Sequence, residues 1–203
     1  MALVLAIALP SLVAVAATPA PVKKVLVMGD SLSAAYGLAP EQGWVALTDQ
    51  RLKARHPGWR VANASISGET TAGGASRIAG ELARHKPAVV VIELGANDGL
   101  RGLPLAQTKA NLERMIVAAK QSGARVLLVG MRMPPNFGPQ YTQGFERNYS
   151  DLARKHGTAL LPFLLEPIAT ERAAFQADNL HPVATAQPRL RDHVWPALVP
   201  LLK

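Results

Sequence analysis

Short apolar runs alternate with longer stretches in which apolar residues recur every three or four positions. Residues 25–28 form such a run, bounded by Gly29, and read as a buried strand. Trp44, Val45, Leu47 and Leu52 share one face of a helix predicted over 40–52. Val61 opens a weaker strand. Ala75, Ile78 and Leu82 predict a second helix, which must stop before Pro87 because proline expels the preceding residue from the helical region. The clearest strand is 88–94, where Val89, Val90, Val91 and Ile92 in succession imply burial on both faces. Leu112, Met115, Ile116 and Ala119 follow at helical spacing, with Gly123 where a C-terminal cap belongs. A strand at 126–129 comes next. Tyr141, Phe145, Tyr149 and Leu152 then form a helical stripe that reads as core packing. A short strand at 160–163 and a helical region within 182–202, with Pro188 at a helix start, complete the pattern.

Repeated strand–helix units predict an α/β domain with a mostly parallel sheet and helices on both faces. Such sheets bind ligands beyond the carboxyl ends of their strands. Three segments stand there: Gly29-Asp30-Ser31-Leu32-Ser33, Asn63-Ala64-Ser65-Ile66-Ser67-Gly68 and Gly95-Ala96-Asn97-Asp98. A fourth, Asp178-Asn179-Leu180-His181-Pro182, lies near the end of the chain.

These residue types suit nucleophilic catalysis. A serine hydroxyl needs a base within hydrogen-bond reach and a group that orients the base. It also needs donors aimed at the oxyanion formed on attack. Ser31 offers the hydroxyl, His181 the base and Asp178, three residues earlier, the orienting acid. The N–H groups of Ser31 and Gly68 and the Asn97 amide offer donors. Each piece alone also reads as turn or cap chemistry, since Gly, Asp, Ser and Asn favour such positions. Asn97-Asp98-Gly99 equally fits a plain loop. Asp30 reads as a turn carboxylate that organises its loop. Among the other histidines, His85 and His156 fall near helix C-termini, where a cation suits the dipole. His56 precedes Pro57, and His193 falls on the last helix.

The four segments, in this order, resemble the conserved blocks of the GDSL/SGNH hydrolase family. Ser31 matches the block I serine, Gly68 the block II glycine, Asn97 the block III asparagine, and Asp178 and His181 the block V D-x-x-H. The segments 29–34, 63–68 and 93–102 are similar to the bacterial thioesterase I/protease I/lysophospholipase L1 branch, often labelled arylesterase. The resemblance implies a flavodoxin-like three-layer α/β/α fold with a five-stranded parallel sheet. It implies hydrolysis of esters, thioesters or lysophospholipids through an acyl-enzyme, with no metal and no cofactor. It also points to the segment after Asn97 as a mobile loop over the acyl group. Gly99, Leu100 and Leu103 are candidate substrate contacts there, with Phe137 and Tyr141 at the same mouth; an ordinary strand–helix connector is the competing reading. The G-x-S-x-G pattern of α/β-hydrolases is absent around Ser31, because Ser33 occupies the second Gly position. A carbohydrate acetylesterase on the same fold is the alternative activity. A non-catalytic lipid- or glycan-binding module is the alternative outside enzymes.

Composition narrows the remainder. The 203 residues suit one domain, and 49% hydrophobic with 18% charged residues fits a folded chain. The absence of cysteine excludes disulfides, thiolate catalysis and Cys-type zinc sites. The net charge of +8 favours anionic partners, such as phospholipid head groups or coenzyme A phosphates, or simply gives a soluble basic surface. Nucleic acid is not expected: three Trp, three Tyr and four Phe interleave with no basic stripe. Residues 1–22 carry no charged side chain, and their apolar run, broken at Pro10, is short for a membrane span. Small residues (Ala14-Val15-Ala16-Ala17) then follow, as in a signal peptide. The expected organisation is a leader over 1–22 and a single domain over 23–203. That domain is expected to be a monomer, periplasmic or secreted, without a stable membrane span.

Overall fold

A computed structural model of the protein describes residues 21–203. The expected leader lies outside the described residues except for Pro21 and Val22. Five strands form one sheet: β1 (Lys23–Gly29), β2 (Trp59–Asn63), β3 (Val89–Glu93), β4 (Arg125–Val129) and β5 (Ala159–Leu161). Their order is β2-β1-β3-β4-β5, and every pairing is parallel. Between them run α1 (Trp44–Arg55), α2 (Thr71–His85), α3 (Ala96–Leu100), α4 (Leu105–Gln121) and α5 (Pro139–His156), with α6 (Gln187–Leu198) last. Helices α1 and α6 pack together on one face, while α2, α4 and α5 pack side by side on the other. This is the three-layer arrangement expected from the sequence. Among the described residues, no helix is long and apolar enough to cross a membrane.

The sheet centre is dry, and the reason lies in the sequence. Every residue of β3 is buried, as are residues 25–29 of β1. A parallel strand covered by helices on both faces is a near-continuous apolar run, and in β3 only the terminal Glu93 departs from it. Helix termini follow local chemistry. The Thr70 side chain accepts the Gly73 N–H at the start of α2, and left-handed Lys86 and Pro87 close that helix. Gly157, with φ +58°, ends α5, and Gly123, with φ +85°, follows the end of α4.

Three segments depart from expectation. The helix predicted over 40–52 splits into a 3-10 turn at Pro40–Gln42 and α1, because Gly43 between them is extended. The strand at 160–163 stops at Leu161, where Pro162 has no N–H to continue a ladder. The Asn97-Asp98-Gly99 segment, which reads locally as a loop, is the helical turn α3. A tertiary anchor explains it: the buried Asp98 carboxylate accepts the Thr71 N–H at 2.8 Å and the Thr71 hydroxyl, at the positive end of α2.

Chain order places the site. The chain steps from β1 outward to β2, then returns past β1 to β3. The β1–β3 boundary is therefore the topological switch point where such sheets open a crevice. Gly95 makes the exit from β3 with φ +124°, and a Cβ there would collide with the hydroxyl of buried Tyr149, which donates to the Leu94 carbonyl at 3.0 Å. Gly95→Ala is expected to destabilise the fold by about 3 kcal/mol through combined strain and overpacking. Chemical denaturation checks this, and an unchanged midpoint would contradict it.

Candidate active site

The turn after β1 presents Ser31 at the crevice. The Asp30 carbonyl accepts the Ala34 N–H, the Ser31 carbonyl accepts the Tyr36 N–H, and Asp30 Oδ1 accepts the Leu32 N–H at 3.0 Å. These bonds hold the hydroxyl outward. His181 arrives from the other end of the chain, on the loop before α6. Its Nε2 lies 2.9 Å from Ser31 Oγ, and its Nδ1 lies 2.7 Å from Asp178 Oδ2. Asp178 Oδ1 accepts the N–H groups of Leu180 and His181 at 2.9 and 3.0 Å. The His181 hydrogen bond and these two backbone donors hold the Asp178 carboxyl down at about 2. With Asp178 ionised, Nδ1 carries the proton and Nε2 is free to accept the Ser31 proton.

The Asp178–His181 loop is tied from both sides. Arg172 donates to the carbonyls of Phe175 and Gln176, both at 3.0 Å. Gln176 donates through Nε2 to the carbonyls of Tyr36 and Pro182, and through its N–H to the His181 carbonyl. The Tyr36 ring packs 4.4 Å from the His181 imidazole. Imidazole position is thus set by bonds within the 172–182 segment and by the Tyr36 carbonyl and ring from the nucleophile's turn. None of the other histidines competes: His85 pairs with Glu81, His156 with Glu113, His193 meets the Phe163 carbonyl, and His56 stacks near Trp195.

Three residues with candidate donors, Ser31, Gly68 and Asn97, line the same cleft. Among the described residues, the N–H groups of Ser31 and Gly68 have no acceptor. Gly68 has φ +79°, a conformation glycine adopts without strain. Asn97 is different. Its Nδ2 donates to Asp30 Oδ2 at 3.2 Å and to the Glu69 carbonyl at 3.0 Å, so both amide hydrogens are engaged. Glu69 itself is held by Arg77, at 2.8 Å.

A buried acid missed by the sequence reading underlies this arrangement. Glu93, the last residue of β3, accepts the Ser33 hydroxyl at 2.6 Å and the Asp30 N–H. Complete burial, and then the nearby Asp30 charge, push its carboxyl well above the ordinary range. An acid closing an otherwise apolar strand was the available signal. Asp30 is buried as well, and desolvation raises its carboxyl to about 6 despite bonds from Leu32 and Asn97 and the nearby His181.

The cleft over Ser31 encloses about 410 Å³. Ser31, Gly68, Asn97 and His181 line it, as does Leu100. Gly99, Leu103, Phe137 and Tyr141 do not. Gly99 is buried, and a Cβ there would meet Met133 and Phe145. Leu103 offers its carbonyl to the Tyr141 hydroxyl at 2.9 Å, and the Phe137, Tyr141 and Phe145 rings stack in succession. Helical spacing turned Tyr141 toward that stack and away from the cleft. The apolar walls come instead from residues the sequence did not single out, chiefly Met131, Met133, Phe163 and Leu165.

The raised Asp30 carboxyl has a consequence for stability. The folded state binds this proton more tightly than the unfolded chain, whose ordinary value is 3.8. Folding stability from Asp30 is therefore greatest below pH ~4 and falls as pH rises toward ~6, by about 3 kcal/mol in all. Asp30→Asn removes this drift, so its melting temperature relative to the parent is expected to climb between pH 4 and pH 7. A difference that stays flat across that range would count against the assignment.

Comparison with known proteins agrees with the architecture. The model of the GDSL-like Lipase/Acylhydrolase family matches residues 27–187. The chain is 53% identical to Esterase TesA of Pseudomonas aeruginosa over 177 residues, 87% of this chain and 88% of that protein. It is 37% identical to thioesterase 1/protease 1/lysophospholipase L1 of Escherichia coli strain K12, over 87% of this chain and 84% of that protein. A crystal structure of TesA superposes with a TM-score of 0.86 at 52% identity, covering 88% of this chain and 99% of that one. The psychrotrophic esterase EstA from Pseudoalteromonas, solved with monoethylphosphonate as inhibitor, gives a TM-score of 0.85 at 37% identity, covering 89% of this chain and 98% of that one. With its five-stranded parallel sheet and a family match across most of its length, the chain belongs to the GDSL-like lipase/acylhydrolase family.

Proposed function

We propose that this protein is a serine hydrolase that cleaves carboxylic esters and thioesters through an acyl-enzyme on Ser31. The observation that carries this reading is the 2.9 Å approach of His181 Nε2 to Ser31 Oγ inside an apolar cleft. His181 takes the hydroxyl proton as Ser31 attacks the carbonyl carbon. The tetrahedral oxyanion lies against the N–H groups of Ser31 and Gly68 and shares the Asn97 amide with Asp30. His181 then gives its proton to the leaving alcohol or thiol, and a water activated by the same imidazole releases the acid. Asp178 holds the tautomer and stabilises the imidazolium.

The cleft walls favour an acyl group longer than acetyl. Met131, Met133 and Phe163 are apolar, and the cleft has room for a chain. Relatives named for esterase, thioesterase and lysophospholipase activity support the same substrate class. Residues 1–22 act as an export leader in this reading, and the uncharged apolar run ending in small residues supports it.

A fluorophosphonate is expected to label the protein at Ser31, and Ser31→Ala to abolish both label and esterase turnover. Label mapped to another residue, or near-parental turnover in Ser31→Ala, would end the proposal. Asn97→Ala is expected to lower kcat by about 10²–10³-fold with a smaller change in KM, as for loss of an oxyanion donor. On a ladder of nitrophenyl esters, kcat/KM is expected to rise from acetate to medium chains. A preference for acetate would instead favour a carbohydrate acetylesterase.

A further inference from the structure

Among the described residues, the exposed large apolar side chains are Val22, Tyr36, Ile66, Leu100 and Leu180. Four of these five gather at one place. Tyr36, Leu100 and Leu180 stand at the cleft lining, and Ile66 immediately precedes Ser67, which also lines it. They come from four separate segments of the chain, yet each keeps between 38% and 51% of its surface in water. Val22, at the start of the described chain, is the exception. The cleft walls already supply an apolar bed for a substrate chain, so the rim is not needed for that purpose. Exposed apolar residues scattered singly need no explanation, but a cluster around one opening marks an interaction surface, for a ligand, a protein or a membrane.

The charges around the rim indicate which of these it meets. Arg101 and Arg172 have no carboxylate within ion-pair distance among the described residues; they donate only to backbone carbonyls. Arg132 lines the cleft, 3.5 Å from Glu146. Of the nearby carboxylates, Glu69 is neutralised by Arg77, while Asp178, bonded to a neutral imidazole, and the buried Asp30 at the cleft floor keep their charge. Glu166, on the Leu165 loop, is exposed with His193 3.8 Å away. The whole chain carries +8. An apolar rim flanked by unpaired guanidinium groups fits the boundary between acyl chains and anionic head groups.

We propose that the cleft rim docks on an anionic lipid surface, with Tyr36, Ile66, Leu100 and Leu180 entering the head-group boundary and Arg101 and Arg172 facing lipid phosphates. This orientation turns the cleft mouth toward the bilayer. The docking itself does not require hydrolysis, so it stands or falls separately from the role of Ser31.

The absence of cysteine makes a site-directed test clean. The full chain carrying Ser31→Ala, which leaves lipids intact, receives either Ile66→Cys at the rim or Gln121→Cys at the exposed end of α4. Gln121 lies beside the start of β4, at the opposite end of the sheet. Each cysteine is coupled to a polarity-sensitive fluorophore, and vesicles of phosphatidylcholine, with or without phosphatidylglycerol, are added. The label at 66 is expected to brighten and shift to the blue, while the label at 121 does not. Partitioning onto phosphatidylglycerol vesicles is expected to exceed that onto phosphatidylcholine by about tenfold and to weaken with added salt. The proposal is overturned by silence at 66, by equal responses at both positions, or by indifference to phosphatidylglycerol. Residues 1–22 are identical in both labelled proteins, so a difference between the two labels cannot come from them.

Discussion

The parallel pairing of β1 with β3 is the constraint on which the site depends. Their register sets Gly29 beside Glu93, so the two chains leave the sheet at the same level. The Ser31 turn and the Asn97 turn therefore emerge as neighbours, although 66 residues separate them in sequence. Side chains on both strands are buried on both faces, and a slip of one residue would carry each valine to the opposite face and into a packing site shaped for another side chain. The apolar core thus fixes the position of polar groups that contribute nothing to it.

Those polar groups strain against the same core. Asp30, Glu93 and Asp98 are all buried, which is rare for carboxylates unless each is satisfied. Each finds a different solution. Asp98 sits at the positive end of α2 and accepts from Thr71. Glu93 is pushed far toward its neutral form while bonding Ser33. Asp30 remains ionised at neutral pH at a cost to stability, and in return it orders the Ser31 turn and orients the Asn97 amide. Keeping a costly carboxylate beside the reacting groups is a pattern of functional sites, where local stability yields to geometry.

Much of this was legible in the chain. Apolar runs marked four of the five strands, while β2 was marked only by Val61, which lies at its centre; helical periodicities marked α1, α2, α4 and α5, and Pro188 the start of α6. The residues after those runs named Ser31, Gly68, Asn97, Asp178 and His181 as a possible constellation; Ser31, Gly68, Asn97 and His181 line one cleft, and Asp178 stands behind the His181 ring. The cleft walls were not legible. Met131, Met133 and Phe163 look like ordinary core residues in sequence, and only packing shows one side of each facing open space. Phe137 and Tyr141 show the reverse: they were expected at the mouth, but they do not line the cleft, Phe137 stacking on Tyr141 and Tyr141 on Phe145.

The sequence by itself determined the layered architecture and the residue types at each strand end, because periodicity and turn chemistry are local properties. Tertiary structure alone decided which hydrogen bonds those residues make. That Asn97 is already occupied by Asp30 and Glu69, that Glu93 lies beneath the Ser31 turn, and that four exposed apolar side chains share one rim all depend on contacts between distant segments. Periodicity reports which face of an element is buried; it carries no record of which distant residue is buried against it.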